Sequence, residues 1–195
     1  MSSDRAFVET LSNWLVSLPH DLKLLYEAAD DENLDRTARE IAVGAIIYVV
    51  SPNDFISADR DGSFISYSDD CLLLRLALLR VVAKKTEDTD FFKGRFPEFF
   101  DTLDEELAVC KSFMGELLDW LESKVDGLTT LEYKGKKIAD YLDDDEASVI
   151  LYEDGLAFRT EYDVDEATLA DSFKKAASVI AMIQRKKDED DKKLT

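Results

Sequence analysis

Apolar residues recur at helical spacing through most of this chain. Phe7, Leu11, Trp14 and Leu18 fall three and four apart, with Val8 and Leu15 beside them, and predict a first helix over about residues 4–17. Pro19 is placed to begin a second, short helix that turns Leu22, Leu25 and Tyr26 inward. A third helix is expected from about Asp35 through Val50. From Ile41 onward it is apolar on every side, which marks the central, buried helix. Gly44 within it points to a close helix contact, since an interior glycine otherwise costs about 1 kcal/mol. Pro52 ends this helix, because Ser51 before it is biased away from helical geometry. A fourth helix over about 69–84 has a nearly continuous apolar surface. Arg75 and Arg80 within it therefore need partners, and the nearest carboxylates in sequence are those of the preceding loop.

Five phenylalanines crowd residues 91–100, and Pro97 suits the first turn of the next helix. Phe100, Leu103, Leu107, Cys110, Met114, Leu117 and Leu121 then follow a 3-4-3-4-3-4 spacing. Such a heptad seam fits a dimeric coiled coil, but Phe99, Phe113 and Trp120 widen it, and a wide stripe favours packing inside a bundle. After Gly127 the texture changes. Residues 148–164, SVILYEDGLAFRTEYDV, read as two strands around Glu153-Asp154-Gly155, a β-hairpin, with residues 128–135 as a candidate third strand. Asp163 and Glu166 form a D-x-x-E capping box for a last helix with the stripe Leu169, Phe173, Ala176, Ile180 and Ile183. The charged end RKKDEDDKKLT is expected to fray. The fold expected is mainly α, a helical bundle with a small β-hairpin near the C-terminus. Residues 1–126 would form the bundle, 127–187 the hairpin and a C-terminal helix packed on the same domain, and 188–195 a charged tail.

Charge narrows the function classes. The formal net charge is −19 and the sequence pI about 4.4, which disfavours nucleic acid and anionic membranes as direct partners. A protein partner or self-association remains open. Cys71 and Cys110 sit in apolar surroundings, outside any CxxC, and read as small buried hydrophobes. The N-terminal stretch MSSDRAFVETL has no signal-peptide core. The longest uncharged apolar run, residues 41–50, is short of the about 20 residues a spanning helix needs. The expectation is a soluble, cytoplasmic protein.

Catalytic patterns are sparse. The single histidine, His20, stands at an expected helix start and reads as a surface or capping residue. Neither G-x-x-x-x-G-K-[ST] nor G-x-G-x-x-G occurs. Carboxylates are the remaining chemistry. The loop SPNDFISADRDGSFISYSDD, 51–70, holds Asp54, Asp59, Asp61, Asp69 and Asp70 between two apolar helices. Aligning Gly62 with the sixth position of an EF-hand puts Asp59 and Asp61 at three and five, but Ser57 and Ser68 at one and twelve. The loop is therefore not an EF-hand. A nonstandard site built from the five aspartates would take calcium or magnesium through hard oxygen ligands. The structural reading needs no cofactor: Asp54 supports the turn after Pro52, and Ser68, Asp69 and Asp70 cap the fourth helix and complement its dipole.

Tyr48, Ser51, Pro52, Asp54, Gly62, Asp69 and Asp70 together carry a resemblance. Over about residues 38–80 the chain resembles the YkvA-like family, a bacterial domain of unknown function. In that family a Tyr-x-x-Ser-Pro-x-Asp helix end is followed by an Ile-Pro loop with a glycine, and an Asp-Asp pair then opens an apolar helix. Here Ile56-Ser57 stands in place of Ile-Pro. The resemblance implies a helical core hairpin, membrane association in some relatives, and no established activity. Two functions follow from the sequence: a noncatalytic interaction or scaffold protein, and a divalent-metal-binding protein or metal-dependent hydrolase using the 51–70 aspartates.

Overall fold

The computed structural model describes residues 3–51, 55, 56, 64–167, 169 and 172–193. Among them run nine α-helices: α1 (Ser3–Asp30), α2 (Arg36–Val50), α3 (Ser68–Val81), α4 (Glu87–Arg95), α5 (Pro97–Met114), α6 (Glu116–Lys124), α7 (Ile138–Asp143), α8 (Asp145–Glu161) and α9 (Ser172–Lys193). A 3-10 turn, Asp126–Thr130, and a two-stranded hairpin, β1 (Glu132–Tyr133) and β2 (Lys136–Lys137), link α6 to α7. The fold is thus mainly α with one small antiparallel hairpin.

Helix α2 lies at the centre, as its all-round apolar sequence requires. Residues 41–49 are buried without a break, between α1, α3, α7, α8 and the 3-10 turn. Asp35 caps it, accepting the Ala38 N–H at 3.1 Å. Gly44 serves a close approach, but the neighbour is not a helix. A Cβ there would stand 2.5 Å from the Leu128 carbonyl oxygen of the 3-10 turn.

The seven heptad positions from Phe100 to Leu121 are all buried within the single chain, so the seam is a bundle core. It does not lie on one helix. Gly115, at φ +59°, breaks it into α5 and α6. Pro97 opens α5 as expected.

Pro19 begins no new helix; α1 runs through it for 28 residues. An interior proline leaves the carbonyl four residues earlier without its N–H partner, here that of Leu15. The Tyr162 hydroxyl, arriving from the far end of the chain, donates to that Leu15 carbonyl at 2.6 Å. A long-range side chain thus replaces the missing helical bond.

The hairpin is not at 148–164, of which residues 148–161 belong to helix α8. Asp144 caps it by accepting the Glu146 N–H at 2.9 Å, and Ala147, Leu151 and Gly155 repeat every four residues on its buried face. Gly155 lies against the Tyr26 hydroxyl, where a methyl group would collide. The Asp-Gly pair that suggests a turn is thus a contact point inside a helix. The true hairpin turns at Lys134 and Gly135, both at positive φ, as a two-residue turn requires.

Asp163 and Glu166 do not open the last helix; residues 162–167 are nonhelical and α9 starts at Ser172. Leu169, Ala176 and Ile183 are buried as expected, and the Phe173 side chain lies outside the described residues. The charged end is helical to Lys193 rather than frayed. Pairs four residues apart, Arg185–Glu189 and Lys187–Asp191, support it, and Lys124 ties Asp190 to α6 at 2.9 Å.

Replacing Tyr162 by Phe leaves the Leu15 carbonyl orphaned beside Pro19. The expected loss is about 1–3 kcal/mol of unfolding free energy, read from urea denaturation. A variant as stable as the parent would show that Tyr162 does not complete α1.

Candidate functional site

The aspartate loop divides at its ends. Asp54, Asp59, Asp61 and Gly62, with Pro52, lie outside the described residues, so the proposed convergence of five carboxylates has no placed geometry. Asp69 and Asp70, in the first turn of α3, are fully buried. Tyr67 holds the N-cap position of α3 without a side-chain cap hydrogen bond, and the two acids lie in the first turn, where they complement the helix dipole; the Ser68 hydroxyl donates to the Phe64 carbonyl.

Asp69 also fastens the hairpin of α2 and α3. Its Oδ2 accepts the Tyr48 hydroxyl at 2.6 Å and the Ile56 N–H at 2.9 Å. Tyr48 Oη in turn accepts the Phe55 N–H at 2.7 Å. Phe55 packs between the Tyr48 and Trp120 rings, and Ile56 is buried. Burial raises the Asp69 carboxyl above its ordinary range despite these hydrogen bonds. Burial and the adjacent Asp69 raise the Tyr48 phenol well above its own. Tyr48, Asp69 and Ser51, the buried C-cap of α2, are placed where the α2–loop–α3 connection needs them.

Helix α3 carries a second buried polar centre. Arg75 Nη2 donates to Asp21 Oδ2 at 2.6 Å and to Ser17 Oγ at 3.1 Å, and Nη1 reaches Glu106 Oε2 at 3.4 Å. The guanidinium also lies over the Trp14 and Phe99 rings, 4.5 and 4.6 Å from their centroids. Trp14 Nε1 donates to the same Glu106 oxygen at 2.6 Å. The expected need for partners is met, among the described residues, by α1 and α5. Burial raises the Asp21 carboxyl, and the nearby Arg75 charge only partly offsets this. Arg80 is not buried; it is half-exposed and faces Asp126 at 3.6 Å.

Both cysteines are buried. Burial raises the Cys110 thiol to about 12 and the Cys71 thiol well above its usual value. His20 is exposed on α1. Among the described residues, no three histidine, cysteine or carboxylate side chains are grouped to hold a metal ion. No helix among them is long and apolar enough to cross a membrane.

The surface carries features the sequence reading passed over. Val149, Tyr152 and Leu156, on the outer face of α8, are 56%, 55% and 42% exposed. Their helical spacing was concealed by the strand reading. Beside them a pocket of about 180 Å³ opens between α1, α2, α7 and α8. A larger cleft of about 520 Å³ is floored by Leu76, Phe100 and Leu103, but its rim mixes Arg80 and Lys93 with Asp90 and Asp104 and so selects no sign of charge. The chain matches no family model, no curated protein and no solved structure.

Replacing Tyr48 by Phe strands the Phe55 N–H and removes a donor from Asp69. The expected cost is about 1–3 kcal/mol in urea unfolding, and an unchanged midpoint would detach the tyrosine from the hairpin. For Arg75, a double-mutant cycle gives the sharper outcome. Asp21→Leu or Arg75→Met alone should each cost on the order of 3–5 kcal/mol, because each leaves a buried charge without its partner. The double variant should lie close to the parent. Additive losses would show that the two charges act independently.

Proposed function

We propose that this protein is a cytoplasmic, noncatalytic interaction module with α8 as its contact surface. The observation that carries this reading is the exposed Val149–Tyr152–Leu156 stripe. Three large apolar side chains at positions i, i+3 and i+7 of one helix form the anchor pattern by which helices engage partners. The polar centres support the same reading. Tyr48, Asp69, Arg75 and Asp21 hydrogen-bond to groups that join helices, which gives each a structural task. The YkvA-like reading of residues 38–80 belongs to the proposal. Its support is the Tyr48–Asp69 bond, which joins two residues of the motif 21 positions apart.

Chemical cross-linking followed by mass spectrometry, on parent and on Val149→Ser/Leu156→Ser in the same extract, tests the reading. The expected result is a specific set of proteins joined to the parent and lost from the double variant. Identical sets for the two proteins would overturn it.

A further inference from the structure

The pocket beside the α8 stripe and the charges around both point to one class of partner. Val43, Ile46 and Leu151 contribute apolar lining, and Tyr26, Tyr141 and Tyr152 contribute aromatic wall. The Tyr26 hydroxyl donates to the Leu151 carbonyl at 2.8 Å and its ring meets that of Tyr152 edge-on at 5.8 Å. The wall between pocket and ridge is therefore fixed in place. The lining is mainly aliphatic and aromatic, with Asp30 and Ser148 among it, and suits a hydrocarbon side chain.

Carboxylates surround this apolar ground. Asp30 stands at the pocket, and Asp145, Glu146 and Glu153 are exposed on α8. Helical spacing puts Glu146 and Glu153 on the flank of the ridge away from Ser148 and Leu151, which line the pocket. The ridge thus has acids on both sides. Among the described residues, none of these four forms a salt bridge; burial raises the Asp30 carboxyl, and the nearby Arg39 charge only partly offsets this. Arg159 is the one cation of α8.

We infer that this face receives a basic amphipathic helix of a partner protein, with an apolar side chain in the 180 Å³ pocket, its apolar stripe on Val149, Tyr152 and Leu156, and Lys or Arg side chains against Asp30 and Glu153. This rests on the interaction reading of α8 and names the partner class. Charge decides among the occupants. A second copy would bring another −19 net charge and the same acids against the same face. A basic helix supplies the opposite sign on both flanks and carries the apolar anchors between them.

The test uses the full chain and three labelled probes: a helical Leu/Lys peptide with its leucines on one face, the matching Leu/Glu peptide, and a scrambled Leu/Lys peptide with no apolar face. Fluorescence anisotropy should show the Leu/Lys helix binding more tightly than either control, and more weakly as salt rises. Val149→Ser/Leu156→Ser, which keeps the charge, should weaken it by about tenfold or more with unchanged circular dichroism. Phe91→Ser, at an exposed phenylalanine on α4, should leave it unchanged.

Equal binding by parent and ridge variant, or by ordered and scrambled peptides, would reduce the effect to adherence on an acidic surface and overturn the inference. So would no binding, or a parent dimer in light scattering that Val149→Ser/Leu156→Ser dissolves. If the peptide fails while the ridge variant still loses its cross-linked partners, the partner class is wrong and the interaction reading stands. If the variant keeps those partners, both fall.

Discussion

A buried guanidinium sets the arrangement of this bundle. Arg75 is only 5% exposed, and a charge so placed is costly unless its partners come to it. Asp21 and Ser17 come from α1, Glu106 from α5, and the rings of Trp14 and Phe99 close over the remaining faces. Three helices are therefore held in one rotation and one register by a single side chain. A one-turn slip of α1 would carry Asp21 about 5.4 Å away and leave the charge stranded. Leucine contacts alone, being non-directional, penalise such a slip far less. Burial raises the Asp21 carboxyl and the Arg75 charge lowers it only in part, and a buried ion pair seldom adds net stability over well-packed apolar side chains. The cluster thus contributes more to the choice of one packing than to net stability.

The same logic recurs wherever the backbone departs from regular helix. Pro19 frees the Leu15 carbonyl, and Tyr162 satisfies it. The chain leaves α2 at Ser51, and the N–H groups of Phe55 and Ile56 beyond it are taken by Tyr48 and Asp69. In each case a backbone group outside regular helical bonding is paired by a side chain from another part of the chain. Tyr162 also packs on Tyr67, just before α3, at 4.8 Å between ring centroids. The α8–α9 connection is thereby joined to the first helix and to the α2–α3 hairpin at one point.

These dependencies explain what the sequence could and could not reveal. The central burial of α2, the apolar surface of α3 and the seven-residue seam from Phe100 to Leu121 are carried by spacing alone, and all were legible. Helix α8 was not. Val149, Ile150 and Tyr152 have strand propensity and Asp154-Gly155 signals a turn, but tertiary packing overrides both. The four-residue repeat of Ala147, Leu151 and Gly155 was the available clue. The partners of Arg75 were illegible for another reason. Asp21 and Glu106 are 54 and 31 residues away, and nothing local separates them from the other carboxylates of an acidic chain. At the aspartate loop, the pairing of Asp69 with Tyr48 was hidden because a helix-start acid ordinarily caps its own helix.

The contrast between interior and surface bears most directly on function. Inside, Asp69, Arg75 and Asp21 hydrogen-bond to groups on other elements and so are committed to the fold. On α8 the reverse holds: Val149, Tyr152 and Leu156 meet solvent although buried positions lie one step around the same helix. Scattered exposed hydrophobes need no explanation, but three on one ridge beside an apolar pocket form a contiguous patch. The surrounding carboxylates do two things there. On the interaction reading they would repel a second copy of the chain, which would leave the patch uncovered, and would favour partners of the opposite charge. An acidic surface that in the sequence only disfavours nucleic acid and anionic membranes would, at this face, also select a partner.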